Sequence, residues 1–281
     1  MKKIGFVDYY ISEWHANNYP AWIKEVCQKM GAQYQIAYAW AELDVSPEDN
    51  ISTAEWCAKY GIERCMTLKE LCEKSDCILV LAPSNPEKHL AYAEEVLKYG
   101  KRTYIDKTFA PDYGVAKQIF EIGAKYNTPF FSSSALRYSD ELKGVTGVSI
   151  LTTGGGRSVE EYIIHQAEMV VKVLGTGARK ICLDRNVGHY FIKVQYDDGR
   201  NASIVYADGL PFSAYVKRQN GEESYHLIQS DFFKNLIADI IRFYETGEKS
   251  FDSKQTLEVM KIREAIIKGL KHEKEWIFIE K

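Results

Sequence analysis

The sequence predicts an α/β chain: an N-terminal doubly wound parallel sheet, then an α+β half with a large, mainly antiparallel open sheet. Three observations carry this expectation. Short apolar segments alternate with helical patterns through residue 133, the order of a parallel sheet with crossover helices. Cys77 to Leu81 is an unbroken apolar run, as expected of a strand covered on both faces. After residue 180 the pattern changes to alternating runs with turn signals at Asp198-Gly199 and Asn220-Gly221, which read as antiparallel hairpins.

Taken in order, Ile4 to Val7 is a short apolar strand. Ile23, Val26, Cys27 and Met30 recur at i, i+3, i+4 and i+7, which predicts a helix opened by Pro20 and ended by Gly31. A strand at Tyr34 to Ala39 follows, then a helix from about Pro47 to Tyr60 and a short one at Leu68 to Glu73. Beyond the Cys77 strand, Pro86 opens a helix that Gly100 closes, and Arg102 to Ile105 is the next strand. Pro111 opens another helix, and Pro129 to Ser132 gives one more strand. After the hairpins come helices at Phe232 to Tyr244 and Lys254 to Leu270, and a closing strand at Trp276 to Ile279. The change of pattern divides the chain into domains 1–135 and 136–281.

A chain of 281 residues that is 46% hydrophobic can bury two cores of this kind. A net charge of −3 offers no basic field for phosphates, so nucleic-acid binding is not expected. No apolar run is long enough to span a bilayer, and Met1-Lys2-Lys3 leads straight into a strand, so the expectation is a cytoplasmic protein with neither membrane nor signal segment. The six cysteines show no CxxC pair, which predicts reduced core thiols and no metal site.

The run Tyr104-Ile105-Asp106-Lys107-Thr108-Phe109-Ala110 lies between an apolar stretch and an amphipathic one. In an open α/β sheet that junction is the carboxyl edge of a strand, where ligands bind. Lys107 is therefore either a proton or hydrogen-bond donor to a substrate hydroxyl or a solvated lysine at a strand end. Glu161 and His165 are spaced i, i+4, so on a helix they share a face and can pair. A carboxylate there would fix the imidazole's tautomer for acid–base work; the plainer alternative is a helix-surface ion pair. Glu161, His165 and Glu168 as metal ligands is set aside, because no further ligand is marked.

In order and spacing these segments resemble the Gfo/Idh/MocA oxidoreductases, the glucose-fructose oxidoreductase and inositol dehydrogenase family. Leu81-Ala82-Pro83-Ser84-Asn85 with His89 is similar to that family's strand–Thr-Pro-Asn…His segment. Asp106-Lys107-Thr108 stands at its Glu-Lys-Pro motif, and Glu161-Tyr-Ile-Ile-His165 resembles its Asp-x-x-x-His motif. Arg137 falls where the family often carries arginine. The resemblance implies a Rossmann-type domain binding NAD or NADP, a substrate domain, and hydride transfer at the CH–OH group of a sugar, polyol or related molecule. It implies catalytic roles for Lys107, His165 and Glu161, and substrate contacts from Lys107, Arg137 and His165. Cofactor contacts would come from Asp8, Pro83, Ser84 and Asn85, with His89, Asp106 and Lys107. His89 reads equally as a structural histidine, and Arg137 as a brace. A homodimer or homotetramer through the C-terminal sheet is expected.

One motif departs from this pattern. The Gly-x-Gly-x-x-Gly fingerprint that lets backbone amides approach a pyrophosphate is absent; Asp8, Tyr10 and Glu13 stand in its place. Side chains would crowd that loop and two carboxylates would oppose a diphosphate. Trp14, His15 and their neighbours would either form a new polar-aromatic pocket or plug the vacated crevice. Two rivals to the oxidoreductase reading follow: a ligand-binding or regulatory protein that has lost the dinucleotide, and a cofactor-independent lyase or isomerase using Lys107 and His165. The Gly154-Gly155-Gly156 triplet reads as an anion cradle or a flexible connection.

Overall fold

The structure is a computed structural model in which residues 1–280 are described. The chain begins β1 (Lys2–Asp8), α1 (Trp14–Met30), β2 (Tyr34–Ala41), α2 (Thr53–Tyr60), β3 (Glu63–Arg64), α3 (Leu68–Lys74) and β4 (Cys77–Val80). Next come α4 (His89–Val96), β5 (Thr103–Ile105), α5 (Tyr113–Lys125), β6 (Phe130–Phe131), β7 (Ser149–Gly154) and α6 (Val159–Leu174). Strands β8 (Ala178–Asn186), β9 (His189–Tyr196), β10 (Asn201–Tyr206), β11 (Ser213–Lys217) and β12 (Glu223–Leu227) follow. The chain closes with α7 (Phe232–Thr246), α8 (Ser253–Gly269) and β13 (Trp276–Phe278).

Two compact units result. The first, Met1–Ser133 with Lys234–Ser250, holds a six-stranded sheet of order β3-β2-β1-β4-β5-β6, and all its pairings are parallel. The order reverses between β1 and β4, which makes the carboxyl ends of those strands the switch point where ligands bind in such sheets. Trp56, Tyr104, Phe6 and Phe131 are among its fully buried side chains. Helix α7 supplies part of the same core although it lies a hundred residues further along the sequence. Its Tyr244 hydroxyl donates to the Ile78 carbonyl at 2.6 Å, and Phe243 meets Phe131 edge-on at 5.0 Å. The Arg102 guanidinium donates to the carbonyls of Tyr244 and Glu245 at the end of that helix.

The parallel sheet and its crossover helices match expectation, with differences at particular ends. Helix α1 starts at Trp14 rather than Pro20, because Glu13 caps it. Helix α2 starts at Thr53 rather than Pro47, where Ser52 and Glu55 form a reciprocal capping box. The residues before it are used otherwise: Ser12 donates to Asp49 at 2.7 Å and Ser46 donates to the Ser12 carbonyl at 2.9 Å, so this segment clamps the β1–α1 loop.

The second unit, Ser134–Phe233 with Phe251–Lys281, holds a seven-stranded sheet of order β12-β11-β7-β10-β9-β8-β13. Only β7 and β10 pair in parallel. Helices α6 and α8 pack on one face, and Glu258 of α8 accepts the Gly177 and Ala178 amides at 2.8 and 2.6 Å. On the other face the register sets Trp276, Cys182, Lys193, Ser203, Leu151, Tyr215 and Tyr225 in one row across all seven strands. Tyr225 and Phe278 on that face are 64% and 63% exposed.

Strand β7 was not expected, since its glycine end reads as a connection. The triplet is tightly packed: a Cβ on Gly155 would lie 1.7 Å from the Ala207 carbonyl oxygen, and one on Gly156 2.2 Å from the Tyr162 ring. Tyr206 also hydrogen-bonds Gly156 at both its amide and its carbonyl. Glycine is there for close approach.

A similar close approach occurs in the first unit, where a Cβ on Gly5 of β1 would lie 2.3 Å from Ser75 Oγ and 2.7 Å from Leu71 Cδ2. Gly5→Ala is therefore expected to destabilise the fold by about 1–3 kcal/mol. The check is a lower urea midpoint at unchanged m value; an unshifted midpoint would show that α3 gives way freely.

Candidate functional site

At the switch point, Asp8 ends β1 fully buried. Its Oδ1 accepts the Tyr9 amide at 2.7 Å and the Ala82 amide at 3.0 Å, so it bridges the ends of β1 and β4; its Oδ2 has no partner. Burial, with the Glu13 carboxylate beside it, pushes the Asp8 carboxyl well above the usual carboxylate range, against those amides.

One strand along, β5 delivers Asp106 and Lys107. Asp106 Oδ2 lies 2.5 Å from His15 Nδ1, and the Tyr104 hydroxyl donates to Oδ1 at 3.1 Å. The His15 ring stacks on Tyr19 at 5.4 Å. Burial works to raise the Asp106 carboxyl, but the His15 ring and the Lys107 ammonium outweigh it and hold it below its ordinary value. Lys107 is only 9% exposed, so it is no solvated strand-end lysine; its Nζ donates to the Pro83 carbonyl at 3.3 Å. The Lys107–Thr108 peptide bond is cis, at the place where the family motif carries proline.

The loop opposite is held by its own backbone and by a short polar pair. Ala82 takes φ +52°, the Asn85 amide donates to the Ala82 carbonyl at 3.0 Å, and the Asn85 side chain donates to Glu87 at 3.1 Å. Pro83 and Asn85 stand partly exposed, and Ser84 exposed, at the strand edge beside Lys107. His89 is completely buried, with Nε2 2.6 Å from the Leu81 carbonyl and Nδ1 3.0 Å from the Phe109 carbonyl. Burial pushes its pKa down despite those carbonyls. Its ring ties the end of β4 to the segment after Lys107, a positioning role.

The site must also be tested against a dinucleotide. Glu13 accepts the His15 amide at 2.8 Å and the Ala16 amide at 2.5 Å, so a carboxylate of the chain itself holds the N-terminal amides of α1. Those are the amides that a diphosphate takes in a nucleotide-binding βα unit. Burial raises Glu13 above its ordinary value, opposed first by His15. After β2, where an acid would read the ribose, Glu42 is bound to Lys88 at 2.5 Å and to the Tyr92 hydroxyl at 2.8 Å. The residues around α1 and β2 do not fit an adenosine diphosphate.

In the second unit, Ser158 caps α6 and its Oγ accepts the Glu161 amide at 3.3 Å. His165, one turn further, is half-buried, with Nδ1 2.7 Å from Ser134 Oγ and its ring edge-on to Tyr162 and Phe212. Glu161 stands on the same helix, partly exposed. Arg137 is buried: Nε donates to Glu168, Nη1 donates to Gln255 at 2.7 Å, and the guanidinium lies 4.0 Å from the Phe251 ring centroid. Its Nε and Nη1 are thus used within the fold, and its buried Nη2 has no partner. Sequence reasoning did not single out Ser134 or Tyr104; neither carries a local signal, since their partners are set by tertiary geometry.

All six cysteines are unpaired, and burial raises five of them. Among the described residues no helix is long and apolar enough to cross a membrane.

No protein-family model and no curated protein matches the sequence. Solved structures do. Myo-inositol dehydrogenase from Lactobacillus casei, in complex with NAD(H) and myo-inositol, is similar at TM-score 0.80 and 11% identity, covering 100% of this chain and 97% of that one. A probable dehydrogenase from Thermotoga maritima gives TM-score 0.79 at 13% identity, covering 98% of each chain. A UDP-N-acetylglucosamine 3-dehydrogenase from Acidithiobacillus ferrooxidans gives 0.75 at 13%, covering 97% of this chain and 99% of that one. The fold implied by the resemblance is the fold found, shared with these three proteins.

The Arg137 region also has a pH signature. Burial, then the Arg137 charge, push Lys172 down to about 8, while its Nζ donates to the Arg137 carbonyl at 2.5 Å. The folded state therefore holds fewer protons than the unfolded chain between about pH 8 and the ordinary lysine range, and stability contributed here rises with pH across that window. Denaturant titrations of wild type and Lys172→Met at pH 7 and pH 9 (about one unit either side of the shifted value) are expected to show a relative gain for wild type at the higher pH. A constant difference between the two proteins would refute this.

Proposed function

We propose that this chain is an NAD(P)-dependent oxidoreductase acting on the CH–OH group of a sugar, polyol or related hydroxylated small molecule. The observation that carries the reading is a buried lysine at the carboxyl edge of a parallel sheet, backed by a buried carboxylate, in a fold shared with dehydrogenases of such compounds. Oxidation of an alcohol carbon requires that the hydroxyl proton be taken up. We assign that proton handling to Lys107 and His165. Lys107, fixed by the Pro83 carbonyl, hydrogen-bonds the substrate oxygen and offsets the negative charge that develops on it. His165, oriented by Ser134, accepts the proton, with Glu161 supporting the ring. Asp106 and His89 hold the Lys107 segment in place, and Arg137, buried against Glu168, Gln255 and the Phe251 ring, serves as a brace rather than a direct substrate contact. Pro83, Ser84 and Asn85 are the proposed contacts for the reactive end of the cofactor, and Asp8 backs them. The α1 and β2 residues do not fit an adenosine diphosphate, because Glu13 and the Glu42–Lys88 pair take up that region.

Glu13 favours a second reading from the same residues: a lyase or isomerase that needs no dinucleotide. One experiment separates the two. Turnover of a panel of sugars and polyols is followed by product analysis with and without NAD+ or NADP+, in wild type and Lys107→Met. The oxidoreductase reading expects cofactor-dependent turnover whose kcat falls about 10²–10⁴-fold in the variant. The second reading expects turnover in cofactor-free protein, lost in the same variant. Equal rates in both proteins would sink both assignments.

We further propose a cytoplasmic homodimer or homotetramer built on the open sheet face, which carries Leu151, Tyr215, Tyr225, Trp276 and Phe278 exposed. Sedimentation analysis is expected to give a dimer or larger for wild type and monomer for a Tyr225→Asp/Phe278→Asp double variant; a monomeric wild type would overturn this.

A further inference from the structure

In nucleotide-binding βα units, the first helix offers its N-terminal amides to a diphosphate across a glycine loop. Here the corresponding loop, residues 9–13, has no glycine and carries its own anion. The Glu13 carboxylate engages the His15 and Ala16 amides at 2.8 and 2.5 Å while itself almost wholly buried. We infer that Glu13 is a resident, covalently attached occupant of the diphosphate position, so that a dinucleotide engages this chain only by displacing it.

Two further observations hold Glu13 there. The His15 ring, next but one in sequence, pairs with Asp106 at 2.5 Å and stacks on Tyr19, which pins the first turn of α1 to the end of β5. The loop is clamped from its other side: Tyr10 donates to Glu48 at 2.8 Å, Ser12 donates to Asp49 at 2.7 Å, and Ile11 is fully buried. Asp8, whose buried Oδ2 has no partner, adds a second carboxyl to the crevice, so an entering diphosphate meets acid as well as a closed loop. An intramolecular carboxylate also acts at high effective concentration, against which a free ligand must compete.

The test uses the full chain and two probes, inorganic pyrophosphate and NADH, titrated calorimetrically into wild type, Glu13→Gly and Glu13→Gln. The first substitution vacates the amides; the second keeps the shape and removes the charge. Pyrophosphate is expected to give no saturable heat with wild type and saturable binding with Glu13→Gly, at least tenfold tighter, with Glu13→Gln between them. The inference is overturned if folded variants bind pyrophosphate no more tightly than wild type, or if wild type already binds it as well as Glu13→Gly does. Should Glu13→Gly not fold, Glu13→Gln decides by the same criterion. The second probe depends on the nicotinamide reading above and reports on it separately. If the variant gains pyrophosphate while no protein binds NADH, Glu13 is the resident anion and the nicotinamide reading falls. If NADH binds all three proteins equally, that reading stands and the displacement of Glu13 does not.

Discussion

A carboxyl group buried at the end of a parallel strand must be neutralised, hydrogen-bonded or paired, because an isolated charge in a dry interior is too costly to keep. The first unit places three buried carboxyls around one switch point, two at or just past strand ends and one capping α1, and settles each differently. Asp106 is paired with His15 and bonded by Tyr104, and stays charged with Lys107 beside it. Glu13 is bonded by helix amides. Asp8 is half satisfied and driven toward its neutral form. Most of the candidate site follows from these three solutions: where α1 begins, why the loop before it is closed, and why a lysine can sit nearly buried at the rim.

The architecture was legible in the sequence because its signals are local. The Cys77–Val80 strand, the glycine end of α1 at Gly31 and the turns at Gly199 and Gly221 each follow from a few adjacent residues and their backbone preferences. What was missed depends on distant partners. The start of α1 was obscured because glutamate is not a favoured helix cap and Pro20 offers a stronger local signal. Residues 47–52 look helical until the β1–α1 loop claims Ser46 and Asp49. Strand β7 is hidden by its glycines, whose reason is the Ala207 carbonyl and the Tyr162 ring.

The site was legible in the same uneven way. Asp106 and Lys107 announce themselves by their place between a strand and a helix pattern. The missing glycine fingerprint is equally plain, but only as an absence. That Glu13 fills the vacated place, and that His15 reaches Asp106 across 91 residues, needs the folded chain. Fold and site thus carry separate information: the likeness to dehydrogenases spans the whole chain, while the amides that such a fold offers to a nucleotide are already taken.

Helix α7 lies late in the chain yet completes the first unit, through Tyr244 on Ile78 and Phe243 on Phe131. During synthesis residues 234–250 must therefore have emerged before the earliest strands can finish their interior, whereas most proteins consolidate their leading domain first. Residues 1–133 on their own leave open the flank on which Phe243 and Tyr244 pack.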